Sequence, residues 1–293
     1  LDVIGDSGLV KLLSDEGTIC LYRKEKTLTY DWNTRWKLFR ERGEDCQILD
    51  RDELHGRLPS LDRRLEHAVY IPSIKYWKEP ASLLEGLHDM ARGLGVVIEQ
   101  GDVQSLGFEN GKPASAQIND GKVFGFDRLV VTAGAWSGTL CEQLGDSVPL
   151  STERGYSTTI ETNTNIKNLI LFKDDEFVAT PMNSGLRLGG TVELAGLEAP
   201  PNYDRTALLA RQLGTYFPNI DTGKRTDWMG HRPSLPDTMP VIGQSPTHAN
   251  VIYAFGHGHV GVTQSAITGK LVSQLAAGVE PEIDLTPFSI SRF

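Results

Sequence analysis

The chain has 293 residues and a mass of 32.2 kDa, enough for about two domains at roughly 150 residues each. Apolar residues at 39% together with 30 glycines are ordinary for a globular protein and exclude wholesale disorder. Lys+Arg 29 against Asp+Glu 38 leaves a net charge of −9, which repels phosphate backbones and argues against nucleic acid as a partner. The densest basic stretches, residues 22–26 and 62–64, are diluted by acids. Cys20, Cys46 and Cys141 are odd in number and far apart, with no C-x-x-C spacing, so a disulfide scaffold or zinc site is not expected and a reducing compartment is. No apolar run reaches about 18 residues, so no segment reads as a membrane span. The opening residues 1–6 carry neither an initiator Met nor a signal-peptide pattern, and read like a chain entered partway through.

In chain order, residues 17–30 are expected to form a strand, with Ile19, Leu21, Leu28 and Tyr30 at alternating positions. A helix is expected over 32–42, with Trp32, Trp36 and Phe39 at 3–4 spacing and Gly43 as its stop. A short helix follows from near Asp50, ended by Pro59. A longer one starts at Pro80, with a stripe of Leu83, Leu84, Leu87 and Met90, and ends at Gly93 or Gly95. Val96-Val97-Ile98 reads as a buried strand. Residues 106–127 read as a β meander with turns at 109–111 and 119–121. The apolar run 128–133 suits a sheet covered on both faces, and a short helix runs on to Leu144. From 149 to 194 the period is mostly two, as in antiparallel sheet with one wet face. An amphipathic helix is expected over 204–216. Turns follow around Pro233–Pro240, then a strand at 251–255, and a helix from about Thr263 to Ala277. The alternation implies two domains crossed more than once. Residues 1–79 and 146–224 would form a sheet-and-helix domain, and 80–145 with 225–293 a buried α/β layer.

Several segments could carry chemistry. Gly256-His257-Gly258-His259-Val260-Gly261 is formally G-x-G-x-x-G between a strand and a helix. A dinucleotide fingerprint also needs a second strand with an acidic residue about 20 positions on. Glu280 and Asp284 lie near that distance, but residues 278–281 are no strand. Alternatively, the glycines let a ligand approach the backbone, and free N–H groups at the helix start stabilise developing negative charge, such as that of a reduced flavin. A tight turn with no ligand is the plain alternative. His257 and His259 form H-x-H, but no third ligand cluster stands out, so no metal is expected. Ala133 and Gly134 end a strand with small residues, where open α/β sheets bind ligands. Arg232, in what reads as a rigid turn before Pro233, suits bidentate carboxylate binding; an ion pair with Asp237 is the alternative. Tyr156 could direct a hydroxyl into a site or simply fill the core, and Arg187 reads as a strand-face charge.

Taken in order, TAGAWS (132–137), RGYS (154–157), RLGGTVE (187–193), the W-x-G-x-R-P segment (228–243) and GHGHVGVT (256–263) resemble the D-amino acid oxidase-like FAD-dependent oxidoreductases. Within that family they are most similar to the D-amino acid dehydrogenase branch, with glycine and sarcosine oxidases more distant. The resemblance implies an α/β FAD-binding layer built from discontinuous segments, 80–145 and 225–293, and an α+β substrate domain with an antiparallel sheet, 1–79 and 146–224. It implies Val103, Ala133, Gly134, Trp136, Gly258, His259, Val260, Gly261, Val262 and Thr263 around FAD. It implies Arg232 on the substrate carboxylate, with Tyr156 and His257 near the reacting atoms. The implied reaction is oxidation of an amino acid C–N bond by hydride transfer to flavin, giving an imino acid that hydrolyses to a 2-oxo acid and ammonia. The dehydrogenase resemblance favours a quinone or other respiratory acceptor for the electrons, with oxygen the alternative, in the cytoplasm or at the inner face of the plasma membrane. The family begins with a strand–GxGxxG–helix unit that these 293 residues do not show, so the chain as given is expected to be inactive. A non-catalytic remnant, a partner-binding subunit, and a glycine, sarcosine or opine oxidase remain open beside this reading.

Overall fold

The computed structural model describes residues 5–293, with Asp6 described in its backbone only. The first four residues of the opening segment lie outside the described ones. The fold is a mixed α/β one that divides into two compact units. One comprises the chain up to Val96, Gly155–Val192 and Pro201–Met229; the other Val97–Arg154, Glu193–Pro200 and Gly230–Phe293.

The first unit is built on an eight-stranded sheet, whose strands Ser151–Ile160, Gly185–Glu193 and Arg225–Ser234 run across the division of the chain. The order is Arg225–Ser234, Ser151–Ile160, Gly185–Glu193, Phe177–Met182, Leu169–Phe172, Thr18–Tyr22, His67–Ile71, Gln47–Leu49. Antiparallel pairing, expected over 149–194, joins Leu169–Phe172, Phe177–Met182 and Gly185–Glu193, while Leu169–Phe172 also runs parallel to Thr18–Tyr22, with Ile170 opposite Ile19. The predicted strand over 17–30 is also shorter. It ends at Tyr22, Arg23 N–H donates to the Asp174 carboxylate at 2.7 Å, and Glu25–Asn33 is a helix. A second helix, Arg35–Glu41, follows after a break at Thr34.

Thr18–Tyr22 is buried at every position because its two faces enter different cores. Ile19 and Leu21 pack with Leu54, Phe172 and Leu213, while Cys20 and Tyr22 pack with Leu28, Trp36 and Val69. In the second core, Trp36 Nε1–H donates to Tyr22 Oη at 2.8 Å, and that hydroxyl donates to Asp31 at 2.9 Å. Both buried polar groups are thereby satisfied. Burial, with the Trp36 bond acting against it, raises the Tyr22 phenol above its usual range. Helix Arg51–Arg57 opens on a capping box, Asp50 accepting from Glu53 N–H at 2.9 Å and Glu53 from Asp50 N–H at 3.0 Å. Helix Asp204–Tyr216 adds Leu209, Leu213 and Tyr216 to the Ile19 core, beside Leu186 and Leu188.

In the second unit, Leu129–Val131 lies parallel to Val251–Phe255, which pairs antiparallel with Val241–Gln244. The meander forms as expected from Val103–Glu109, Lys112–Ile118 and Val123–Gly125. Its first turn has both Asn110 and Gly111 at positive φ. Asp146 is buried and accepts from Thr247 Oγ1 and Tyr253 Oη, each at 2.7 Å, and from Ser245 Oγ at 2.5 Å. Two expectations fail. Residues 96–98 form no strand, and Val97 is 80% exposed, because among the described residues no strand lies alongside to complete a ladder. Leu129–Val131 is covered on one face only, with Val131 buried and Val130 exposed.

Candidate active site

Strand Val251–Phe255 delivers the chain to Gly256, whose φ of 84° is left-handed. A Cβ added there would lie 2.5 Å from Leu235 Cδ1, so only glycine fits the turn as it stands. Gly258 turns again at φ 51° and donates its N–H to Pro233 O at 2.8 Å. Helix Gly261–Ala277 starts directly after, and its first amides, those of Gly261, Val262 and Thr263, have no intrahelical acceptor. The turn therefore presents bare backbone and a helix N-terminus of 17 residues' length.

The two histidines of the turn diverge. His257 Nε2 meets Thr268 Oγ1 at 3.0 Å, and burial lowers its pKa, favouring neutral imidazole. His259 Nε2 meets Glu153 Oε2 at 2.7 Å. Among the described residues no group of three potential metal ligands forms.

Arg232 lies in strand Arg225–Ser234, not in the turn expected from Pro233. Asp237 is engaged elsewhere, accepting from Arg292 Nε at 2.7 Å. Arg232 Nη1 is buried with no hydrogen-bond partner among the described residues. Burial lowers the guanidinium from its ordinary value, and the Glu153 charge acts against that. The neighbouring strands bring these two side chains together. Thr152 Oγ1 meets His231 Nδ1 across the strands at 3.0 Å, so the next residue on each, Glu153 and Arg232, emerges on the opposite face. The His259 hydrogen bond holds Glu153 below the usual carboxylate range, against its partial burial, and the Arg232 charge adds to it. A cavity of about 300 Å³ is lined by Glu153, Ser234, Leu235 and the Gly256–Val260 turn.

Of the other predicted residues in this unit, Ala133 and Gly134 form the turn after Leu129–Val131, with open space over Gly134. Trp136 is half-exposed and packs edge-on against His231, ring centroids 5.4 Å apart. Val103 begins the meander and is exposed. Tyr156 belongs to the first unit and is 1% exposed. Its hydroxyl accepts from Asn202 N–H at 3.0 Å, and its ring meets Tyr203 edge-on. Arg187, also in the first unit, lies over the Trp228 ring at 5.4 Å. Sequence reasoning missed Glu153. The only signal was a charged residue placed next to Arg154 in a strand whose other positions run to burial.

Residues 6–275 match the family of FAD-dependent oxidoreductases abbreviated DAO. The chain belongs to that family. It is 36% identical to a D-amino-acid oxidase of Bradyrhizobium diazoefficiens over 98% of this chain and 69% of that protein. It is 30% identical to a D-amino acid dehydrogenase of Xanthobacter autotrophicus over 71% of this chain, where it spans half of the relative's length. Among solved structures it shares the fold of glycine oxidase from Geobacillus kaustophilus, with TM-score 0.85 and 23% identity, covering all of this chain and 79% of that one. L-proline dehydrogenase from P. horikoshii has the same fold, with TM-score 0.82 and 16% identity, covering all of this chain and 79% of that one. The DAO family is one of FAD-dependent oxidoreductases, and the chain is an oxidoreductase of that kind. No helix among the described residues is long and apolar enough to cross a membrane.

Proposed function

We propose that the protein oxidises the Cα–N bond of a small amino acid, with Arg232 holding the substrate carboxylate. The observation that carries this reading is the buried Nη1 of Arg232, a charged donor with no hydrogen-bond partner among the described residues. Such a donor is costly to leave unmade, and a planar carboxylate satisfies it. FAD fits beside it, because the Gly256–Gly261 turn offers bare backbone and helix-start N–H groups that favour negative charge. In this assignment Gly258, His259, Val260, Gly261, Val262 and Thr263 line the flavin ring, with Ala133, Gly134, Trp136 and Val103 along the rest of the cofactor. Bound FAD supplies the acceptor for the Cα hydrogen and its electron pair. The substrate nitrogen, if bound as an ammonium, first gives one proton to solvent; loss of hydride from the resulting amine leaves an iminium, which water converts to a 2-oxo acid and ammonium. The chain contributes position and charge, which is what such chemistry asks of a protein.

His257, held neutral by burial and tied to Thr268, is assigned to fixing the turn. Tyr156, with its hydroxyl committed to Asn202, is assigned to supporting the sheet rather than to touching substrate. The segments 80–145 and 225–293 are assigned to the cofactor, and 1–79 with 146–224 to the substrate. Electrons then pass to a quinone or another respiratory acceptor.

Purification of the complete gene product tests this reading. Flavin absorbance should copurify or appear on adding FAD, and bleach anaerobically with D-alanine or glycine. Absence of bound flavin after added FAD overturns it. Reduction of a quinone analogue without peroxide formation identifies the acceptor.

A further inference from the structure

We propose that Glu153, held in place by His259, receives the α-ammonium group of the substrate, so that Glu153 and Arg232 together read a zwitterion. This rests on the assignment of Arg232 above. Glu153 and Arg232 stand on adjacent strands, on the face opposite the Thr152–His231 pair. One anion and one cation side by side match the two charges of an α-amino acid. A carboxylic acid without the amine meets the same arginine but also a facing carboxylate, which repels it.

The side chain of Glu153 is about a third exposed and borders the 300 Å³ cavity together with Ser234, Gly256, His257 and Gly258. One of its oxygens, Oε2, accepts from the His259 ring at 2.7 Å. A carboxylate has lone pairs for more donors than this, so an ammonium group can join without displacing the histidine. The charged and titratable groups facing Glu153 are His259, from the glycine turn, and Arg232, from the neighbouring strand. Both favour the ionised carboxylate. His259 is a positioning residue, fixing the carboxylate that meets the ligand.

The test uses 2-aminoisobutyrate, a zwitterion with no Cα hydrogen to lose, and isobutyrate, the same acid without the amine. Binding of each to the flavin-loaded protein is followed by calorimetry. The wild type should bind 2-aminoisobutyrate more tightly than isobutyrate. Glu153→Gln should weaken 2-aminoisobutyrate about tenfold while leaving isobutyrate unchanged or tighter. His259→Asn should give a smaller loss of the same selective kind. Equal weakening of both ligands by Glu153→Gln overturns the proposal, as does unchanged 2-aminoisobutyrate binding or a wild type that prefers isobutyrate. Arg232→Leu separates the two readings. If it leaves isobutyrate binding intact, the carboxylate assignment falls, whatever Glu153→Gln has shown.

Discussion

Arg232 Nη1 and the three cysteines are all removed from water, yet of these only the arginine atom has unfinished bonding. It lacks a partner among the described residues, whereas the thiols are buried among apolar neighbours in their cores. Replacing Arg232 by Leu removes a charge-assisted hydrogen bond worth roughly 1.5–3 kcal/mol, so KM for the amino acid should rise about ten- to hundredfold. Steady-state kinetics of the flavin-loaded enzyme checks this, and an unchanged KM would exclude Arg232 from the carboxylate site. Burial pushes the Cys20 and Cys141 thiols up to about 12, and raises Cys46 as well. At pH 8 the thiolate form is then scarce in the folded state. Ellman's reagent should find no rapidly reacting thiol until denaturant is added, when all three react. At this scale the sequence made Arg232 and the glycine turn visible, since both lie in compact motifs. Glu153 stayed hidden because its partner sits 106 residues away, and no local pattern records which strands will be neighbours.

The elements with chemical punctuation were read well from sequence, as was the apolar strand Val251–Phe255, whereas the apolar run at 96–98 was not. Helix Arg51–Arg57 has its capping box and helix Pro80–Gly93 its proline at N1; both formed where expected. Residues 96–98 have the composition of a strand but no described neighbour, and composition cannot supply a ladder. Residues 23–30 were misread because two-residue alternation in a short stretch also fits a helix, and helix Glu25–Asn33 buries only Leu28. The turn at Gly256 is sensitive to a single methyl group. Gly256→Ala places a β-carbon at left-handed φ and 2.5 Å from the tip of Leu235. We expect a loss of about 2 kcal/mol, measured as a lower denaturation midpoint at unchanged slope. A midpoint within error of the wild type would show that the turn relaxes freely.

Over the whole molecule, the mixed α/β class was legible from the alternating composition of the chain, and the family from the order of five segments. The parallel strand pair in the larger sheet was not, because its members are encoded far apart. Distant segments are also tied together in the second unit, where Asp146 gathers donors from Ser245, Thr247 and Tyr253, each about a hundred positions on. Asp146→Ala leaves the buried Ser245 and Tyr253 hydroxyls, and that of the exposed Thr247, without their acceptor. At roughly 1 kcal/mol or more for each, stability should fall by about 3 kcal/mol, read as an earlier thermal transition. A transition at the wild-type temperature would mean that water replaces the carboxylate.

The parallel pair also has a consequence for biosynthesis. Thr18–Tyr22 can pair on one side with His67–Ile71 soon after both are made, but its other neighbour is Leu169–Phe172. About 150 residues must be translated between the two, which takes roughly 8 to 30 s at typical rates. Throughout that interval the strand carries an unpaired edge of backbone donors and acceptors, open to a wrong partner. The nascent chain is therefore most exposed to misassembly before residue 172 clears the ribosome, and a chaperone that shields that edge would raise the yield of folded protein.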